Sequence, residues 1–194
     1  MAAFLSACGM ERHANTALQR KNIIVDIQKP VPHCYGYGCV KRADIALTKQ
    51  EWEHIESIMT PASNTPAQER QKTKQAIAAF EQIMGEKAGT ASDKAGTFKH
   101  MGAKGNQLDC VDESLNTTIY LTLLEQKGWL SFHSVGNPSV RLPIIHAGRW
   151  PHQTAVIHEN NSGRLYAVDS WFHNNGAEPE ILPLEKWKAG WKPG

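Results

Sequence analysis

The chain has 194 residues, enough for one domain with a sizeable core. Its 21 Lys and Arg residues against 19 Asp and Glu leave a net charge of +2, and the basic residues are scattered rather than gathered with aromatics in a patch, which argues against a nucleic-acid partner. No apolar run approaches the ~18 residues that a membrane-spanning helix requires, so the folded part is expected to be soluble.

At the N-terminus, Leu5-Ser6-Ala7 precedes Cys8 within Met1 to Gly9. These residues resemble the end of a bacterial lipoprotein signal, in which such a Cys is lipidated after cleavage. The resemblance implies a periplasm-facing place in the bacterial envelope, with membrane contact only through that lipid; an ordinary apolar N-terminus with an incidental Cys is the alternative. Residues 1–32 read as a signal remnant and tether, with one short strand at Asn22 to Ile27, and residues 33–194 as the domain. In an oxidising compartment Cys34 and Cys39 can close a short disulfide loop whose glycines permit the tight turn. Lipidation of Cys8 would then leave Cys110 as the one free thiol. The other use of this stretch is a metal site built from His33, Cys34 and Cys39, for which a single Cys pair is a thin signal.

Two amphipathic helices follow. Thr48 and Glu51 form a capping box with Leu47 and Trp52 at staple positions, and Trp52, Ile55 and Met59 share a face. Thr65, Pro66 and Gln68 open the second, whose stripe is Thr73, Ala76, Ile77, Phe80, Ile83 and Met84; Gly85 is expected to end it. The charged residues from Glu69 to Lys74 read as a solvated face. Residues 86–106 lack periodicity and read as a long loop, either one wall of a cleft or an insertion.

Asp109 is a good N-cap, and Val111, Leu115, Ile119 and Leu123 mark one stripe of a helix that stops at Lys127-Gly128. Cys110 therefore falls in the first helical turn, where unpaired N–H groups and the positive end of the helix dipole favour thiolate and leave donors for an oxyanion. A small apolar residue under a helix start is the plainer reading of the same Cys. After this helix the period switches to two. Strands are expected at Trp129 to Val135, Val140 to His146, Gln153 to Glu159 and Arg164 to Ser170, while Trp187 and Trp191 in the tail read as core or lid packing. Helices first and antiparallel strands after them make an α+β domain. No Gly-rich phosphate loop follows a strand, and no cofactor is implied.

A four-residue connection at Asn160 to Gly163 would set Glu159 opposite Arg164 and Ile157 opposite Tyr166. In that register His152 and Asp169 are diagonal neighbours on one face, roughly 7–8 Å apart at Cα; a slip of one residue would separate them. A Glu159–Arg164 charge pair would favour the same register. The chain thus offers a thiol at a helix start, an imidazole on a strand and a carboxylate on the next strand. In the thiol version of the triad, His152 takes the Cys110 proton and Asp169 orients the ring. The backbone N–H of Cys110 and the Gln107 side chain are the expected oxyanion donors, with Asn106 a weaker one.

Cys110 in Leu-Asp-Cys-Val-Asp, His152 in Pro-His-Gln-Thr-Ala-Val-Ile and Asp169 in Tyr-Ala-Val-Asp-Ser-Trp-Phe make residues 105–176 similar to the transglutaminase-like branch of the papain-like cysteine enzymes. The resemblance implies a central helix packed on an antiparallel sheet with the triad at their junction, here with additional N-terminal helices. It implies a thiol-dependent hydrolase or acyltransferase acting on a peptide or other amide bond through a thioester; the alternative is a non-catalytic envelope lipoprotein using the same fold to bind. His158 lies about 20 Å along the strand from His152 and is a poor base. His133 and His146 are competitors on neighbouring strands. Cys110, His152 and Asp169 with Asp109 or Asp112 form a weak zinc set, and the sequon at Asn116 is incidental.

Overall fold

The helix Cys110–Gln126 is the element around which the others pack in this computed structural model, which describes residues 15–97, 105–142 and 151–194. In chain order the elements are α1 (Thr16–Arg20), β1 (Val31–Tyr35), β2 (Lys41–Ile45), α2 (Lys49–Met59), α3 (Pro66–Ala88), α4 (Cys110–Gln126), β3 (His133–Val135), β4 (Ser139–Arg141), β5 (His152–Glu159), β6 (Leu165–Asp169), β7 (Glu180–Pro183) and α5 (Leu184–Lys188). The fold is mixed α+β. β1 and β2 form an antiparallel hairpin, and the main antiparallel sheet runs β3-β5-β6-β7, with β4 paired to the N-terminal half of β5. No helix among the described residues is long and apolar enough to cross a membrane.

Sequence periodicity marks one apolar stripe on α4, yet the helix is buried on nearly every side. Leu115, Ile119, Leu123 and Leu124 join the core with Ala155 and Ile157 of β5 and Val168 of β6, while Phe80 of α3 stacks on Tyr120 at 4.9 Å. Fully burying each such side chain contributes roughly 1.5–3 kcal/mol. The polar residues on α4 are buried because they have partners. Asn116 accepts from Cys34 N at 2.7 Å and donates to Cys34 O at 2.9 Å, which fastens β1 to the helix and takes the sequon out of solvent. The Tyr120 hydroxyl meets His33 Nδ1 at 3.0 Å, and Thr90 Oγ1 meets Nε2 at 3.0 Å. Burial holds the His33 imidazole down at about 4.

Several expectations are corrected. The described part of the tether is packed into the domain: Leu18 of α1 and Ile23 are buried in the main core, and Asn22 to Ile27 form no strand. Helix α3 passes Gly85 and ends at Ala88, with Gly89 at φ 74° as its C-cap. Gly85 is glycine for another reason, since a Cβ there would lie 2.7 Å from the Asn175 side chain. Glu69 is not solvated; it is 1% exposed and accepts from Ser131 N, Phe132 N and His133 Nδ1. Arg70 beside it pairs with Glu159 at 2.6 Å, so the expected Glu159–Arg164 charge pair is replaced by one that joins α3 to the sheet. The strand predicted from Trp129 shortens to His133–Val135. The one predicted from Val140 is seen as Ser139–Arg141; Leu142 is not part of it, and residues 143–146 lie outside the described residues. β7 and α5 were not anticipated.

Behind the first turns of α4 lies a group of buried carboxyls. Glu81 of α3, Asp93 of the following loop and Glu113 of α4 face one another, with Asp112 and Asp169 in the same field. Glu81 accepts from Gly176 N at 3.1 Å, and Asp93 accepts from Leu108 N at 2.7 Å. Burial raises Glu81 to about 7 and Asp93 to about 6, and burial together with the neighbouring carboxylates drives Glu113 well up. The folded state therefore holds protons that the unfolded chain releases, and the stability they contribute at acid pH is lost as pH rises through 6 to 7. His33 acts oppositely, but only below its unfolded value of about 6.5.

Two outcomes follow. From about pH 6 to 7, where Asp93 and Glu81 titrate in the folded protein, the unfolding free energy measured by urea denaturation falls by an amount on the order of 1–3 kcal/mol, and Glu81→Gln flattens the slope. Asn116→Ala, which strips both partners from the buried Cys34 peptide, lowers stability by about 1–3 kcal/mol, whereas Asn160→Ala on the exposed β5–β6 turn stays within about 0.5 kcal/mol.

Candidate functional site

The start of α4 is held by two carboxylates. Asp109 is the N-cap, its Oδ1 accepting from Val111 N and Asp112 N at 3.0 Å each, while Asp112 Oδ2 reaches back to Asp109 N at 3.2 Å. The same carboxylates also receive the β1–β2 turn. Tyr37 N and Cys39 N donate to Asp112 at 2.7 and 2.6 Å, and Gly38 N donates to Asp109 at 3.0 Å. That turn is closed by a Cys34–Cys39 disulfide with a Cα separation of 4.7 Å, so these cysteines are not ligands for a metal, and His33 is occupied by Tyr120 and Thr90. Gly36, Tyr37, Gly38 and Cys39 all have positive φ, which turns successive N–H groups toward one side and makes a nest for an anion. The anion here is the helix cap itself.

Cys110 is thereby fixed in the first turn, half-buried, and is the free cysteine among the described residues. Its sulfur is faced by its own backbone N–H and by that of Gln153, the residue after His152. The Gln153 side chain crosses to Ser114 Oγ at 2.6 Å, tying β5 to the next turn of α4. Contrary to the expectation from the helix dipole, the thiol is pushed up to about 11. Burial is the main cause and the charges of Asp109 and Asp169 add to it, outweighing the two N–H groups. A helix start favours thiolate only if its own cap does not cancel the field, and here the cap is a carboxylate.

The strand register is the one that the four-residue connection predicts: Ala155 opposite Val168, Val156 opposite Ala167, Ile157 opposite Tyr166, with Glu159 N donating to Arg164 O at 2.8 Å. It brings His152 Nε2 to 2.7 Å from Asp169 Oδ2, both side chains being almost wholly buried. The imidazole is enclosed by Trp171, Phe172 and Trp187, with ring centroids 4.6, 5.2 and 5.5 Å away. Its other nitrogen, Nδ1, is buried and has no hydrogen-bond partner among the described residues. A buried unpaired ring nitrogen costs free energy unless something uses it. With Nε2–H directed at the carboxylate, Nδ1 carries the lone pair, and no hydrogen bond joins it to the Cys110 thiol in this structure.

The other expected participants are placed elsewhere. Gln107 Nε2 donates to Ser92 O at 3.1 Å and its Oε1 accepts from Lys94 N at 3.0 Å, and Asn106 Nδ2 donates to Gly89 O, so both amides brace the loop after α3. His133 is held between Glu69 and Arg70, and His158 is exposed. His146, Cys8 and residues 98–104 of the proposed cleft wall lie outside the described residues. The described part of that loop does reach the site: Gly96 N donates to Trp171 O at 2.8 Å, and Trp171 Nε1 donates to Thr97 O at 3.1 Å. Sequence reasoning missed the role of Trp187, whose indole N–H donates to Asp169 Oδ2 at 2.6 Å. A Trp eighteen residues beyond the Asp, in an unpatterned tail, carries no local signal for that contact.

No protein-family model, curated protein or solved structure matches the chain.

Proposed function

We propose that the chain is a thiol-dependent hydrolase or acyltransferase of the papain-like, transglutaminase-like kind, acting on a peptide or other amide bond through Cys110, His152 and Asp169. The observation that carries this reading is the buried His152–Asp169 pair at 2.7 Å, which leaves Nδ1 unpartnered one residue before the amide that faces the Cys110 sulfur. His152 takes the thiol proton at Nδ1, and Asp169 stabilises the resulting imidazolium. The thiolate adds to the carbonyl carbon, and the oxyanion receives the backbone N–H groups of Cys110 and Gln153 in the role first expected of Gln107. Collapse breaks the C–N bond, the imidazolium gives its proton to the leaving amine, and a thioester remains on Cys110. Water or a second amine then attacks the thioester. The substrate is a peptide or protein; no metal or cofactor enters these steps.

The Cys34–Cys39 disulfide fits an oxidising compartment, which supports the envelope reading that Cys8 suggests. A second reading, a binding module that keeps the fold without the reaction, is favoured by the thiol standing at about 11 in the resting protein. The two readings differ in one measurement. If His152 accepts the proton, iodoacetamide labels Cys110 at about pH 6 well above the rate of a model thiol, and His152→Ala removes the excess; a binding module labels equally slowly in both and only speeds up toward alkaline pH. In a screen of peptide, isopeptide and ester substrates, Cys110→Ala abolishes turnover with an unchanged circular dichroism spectrum. Asp169→Ala costs less than His152→Ala, because it removes orientation and leaves the base. Turnover retained in Cys110→Ala would end the nucleophile assignment.

A further inference from the structure

The carboxylate that orients His152 is itself held, and by a segment outside the triad. Asp169 Oδ2 receives two donors: His152 Nε2 at 2.7 Å and Trp187 Nε1 at 2.6 Å. Trp187 is wholly buried on α5, its ring lies 5.5 Å from the His152 ring, and the five-residue helix carrying it has no side-chain cap to hold it in place. What holds it is Arg141. This residue pairs directly with His152 across β4 and β5, and its guanidinium lies 4.6 Å from the Trp187 ring centre. Its Nη1 donates to Trp187 O at 2.8 Å and to Trp191 O at 2.9 Å. The contacts form a closed circuit, from His152 to its strand partner Arg141, to Trp187, to Asp169 and back to His152.

We infer that Trp187 is a positioning residue for the base, fixing the Asp169 carboxylate through its indole N–H, and that Arg141 fixes Trp187. The inference rests on the proposed roles of Cys110 and His152. A tryptophan kept only for packing needs no particular donor geometry; here the N–H is spent on the one oxygen that the imidazole also uses. Rotation of a buried carboxylate about its Cα–Cβ bond would break the alignment with Nε2. Two donors on one oxygen leave little freedom to rotate, and charge-assisted hydrogen bonds of this kind are about twice as strong as neutral ones. Loss of the N–H therefore weakens the hold on the imidazolium and so its ability to keep the Cys110 proton.

The test replaces Trp187 with benzothienylalanine, which keeps the ring's shape and lacks the N–H, with Trp187→Phe as a second variant and circular dichroism and thermal melting to verify the fold. Cys110 alkylation is followed across pH. The expected result is a fall of roughly tenfold at about pH 6 with the alkaline limb unchanged, since at high pH the thiol ionises without the imidazole. In an Asp169→Asn background the same replacement has no further effect, because the group it acts through is already gone. A profile that superimposes on the wild type, a faster rate at about pH 6, or a uniform fall at all pH values overturns the inference. His152→Ala, run alongside, separates the two claims. If it slows alkylation at low pH while the Trp187 variants do not, the base stands and the positioning role fails; if it changes nothing, both fail.

Discussion

Everything near Cys110 depends on how two carboxylates, Asp109 and Asp112, are shared between a helix and a turn. An ordinary N-cap satisfies donors of its own helix. Here the two side chains receive six backbone N–H groups, three from the helix start and three from the disulfide-closed turn. The turn can offer three donors in succession because its backbone is left-handed from Gly36 to Cys39. The disulfide holds the ends of that turn together, and Asn116 holds the strand leading into it against the next turns of α4. Cys110 is thus set by long-range anchors on one side of the helix, which leaves its other side free to meet β5.

On that other side the chain solves a different problem, that of keeping a charged carboxylate and an imidazole almost fully out of water. Burial of such a pair is costly unless each remaining polar atom has a partner. Asp169 is served by His152 and Trp187, and the aromatic rings of Trp171, Phe172 and Trp187 enclose the imidazole. Nδ1 is the atom left over. Its position beside the residue facing the sulfur is what singles out this imidazole among the histidines of the chain.

How much of this was legible in the sequence follows from how local each signal is. The helix start at Asp109, the helix itself and the β5–β6 register could be read because capping chemistry, periodicity and the length of a connection are properties of neighbouring residues. The β1–β2 hairpin was hidden by Pro32 in its first strand, and β7 by Pro183 at its end. Glu69 was misread because an acidic residue on a helix looks solvated until the three donors it serves, from residues 131 to 133, are brought to it. Gln107 was misassigned for a similar reason: proximity in sequence to Cys110 suggested a role at the thiol, whereas its amide is spent on Ser92 and Lys94. Trp187 and Arg141 were beyond reach, since both act through partners far away in the chain.

The least anticipated result is electrostatic. A thiol at a helix start is usually argued to be acidic because of the dipole, worth about 0.3–1 kcal/mol at an exposed end. This thiol sits between two acids: Asp109 caps the helix and Asp169 lies across the site. Burial and these charges raise it to about 11, so the dipole loses. In the proposed reaction the burden of making a nucleophile therefore falls on proton transfer to His152. An imidazolium formed there would place a positive charge among the same carboxylates that oppose the lone thiolate. The acids that disfavour ionisation of Cys110 by itself would favour the charge-separated pair, and they would do so only while Asp169 is held in line with the ring.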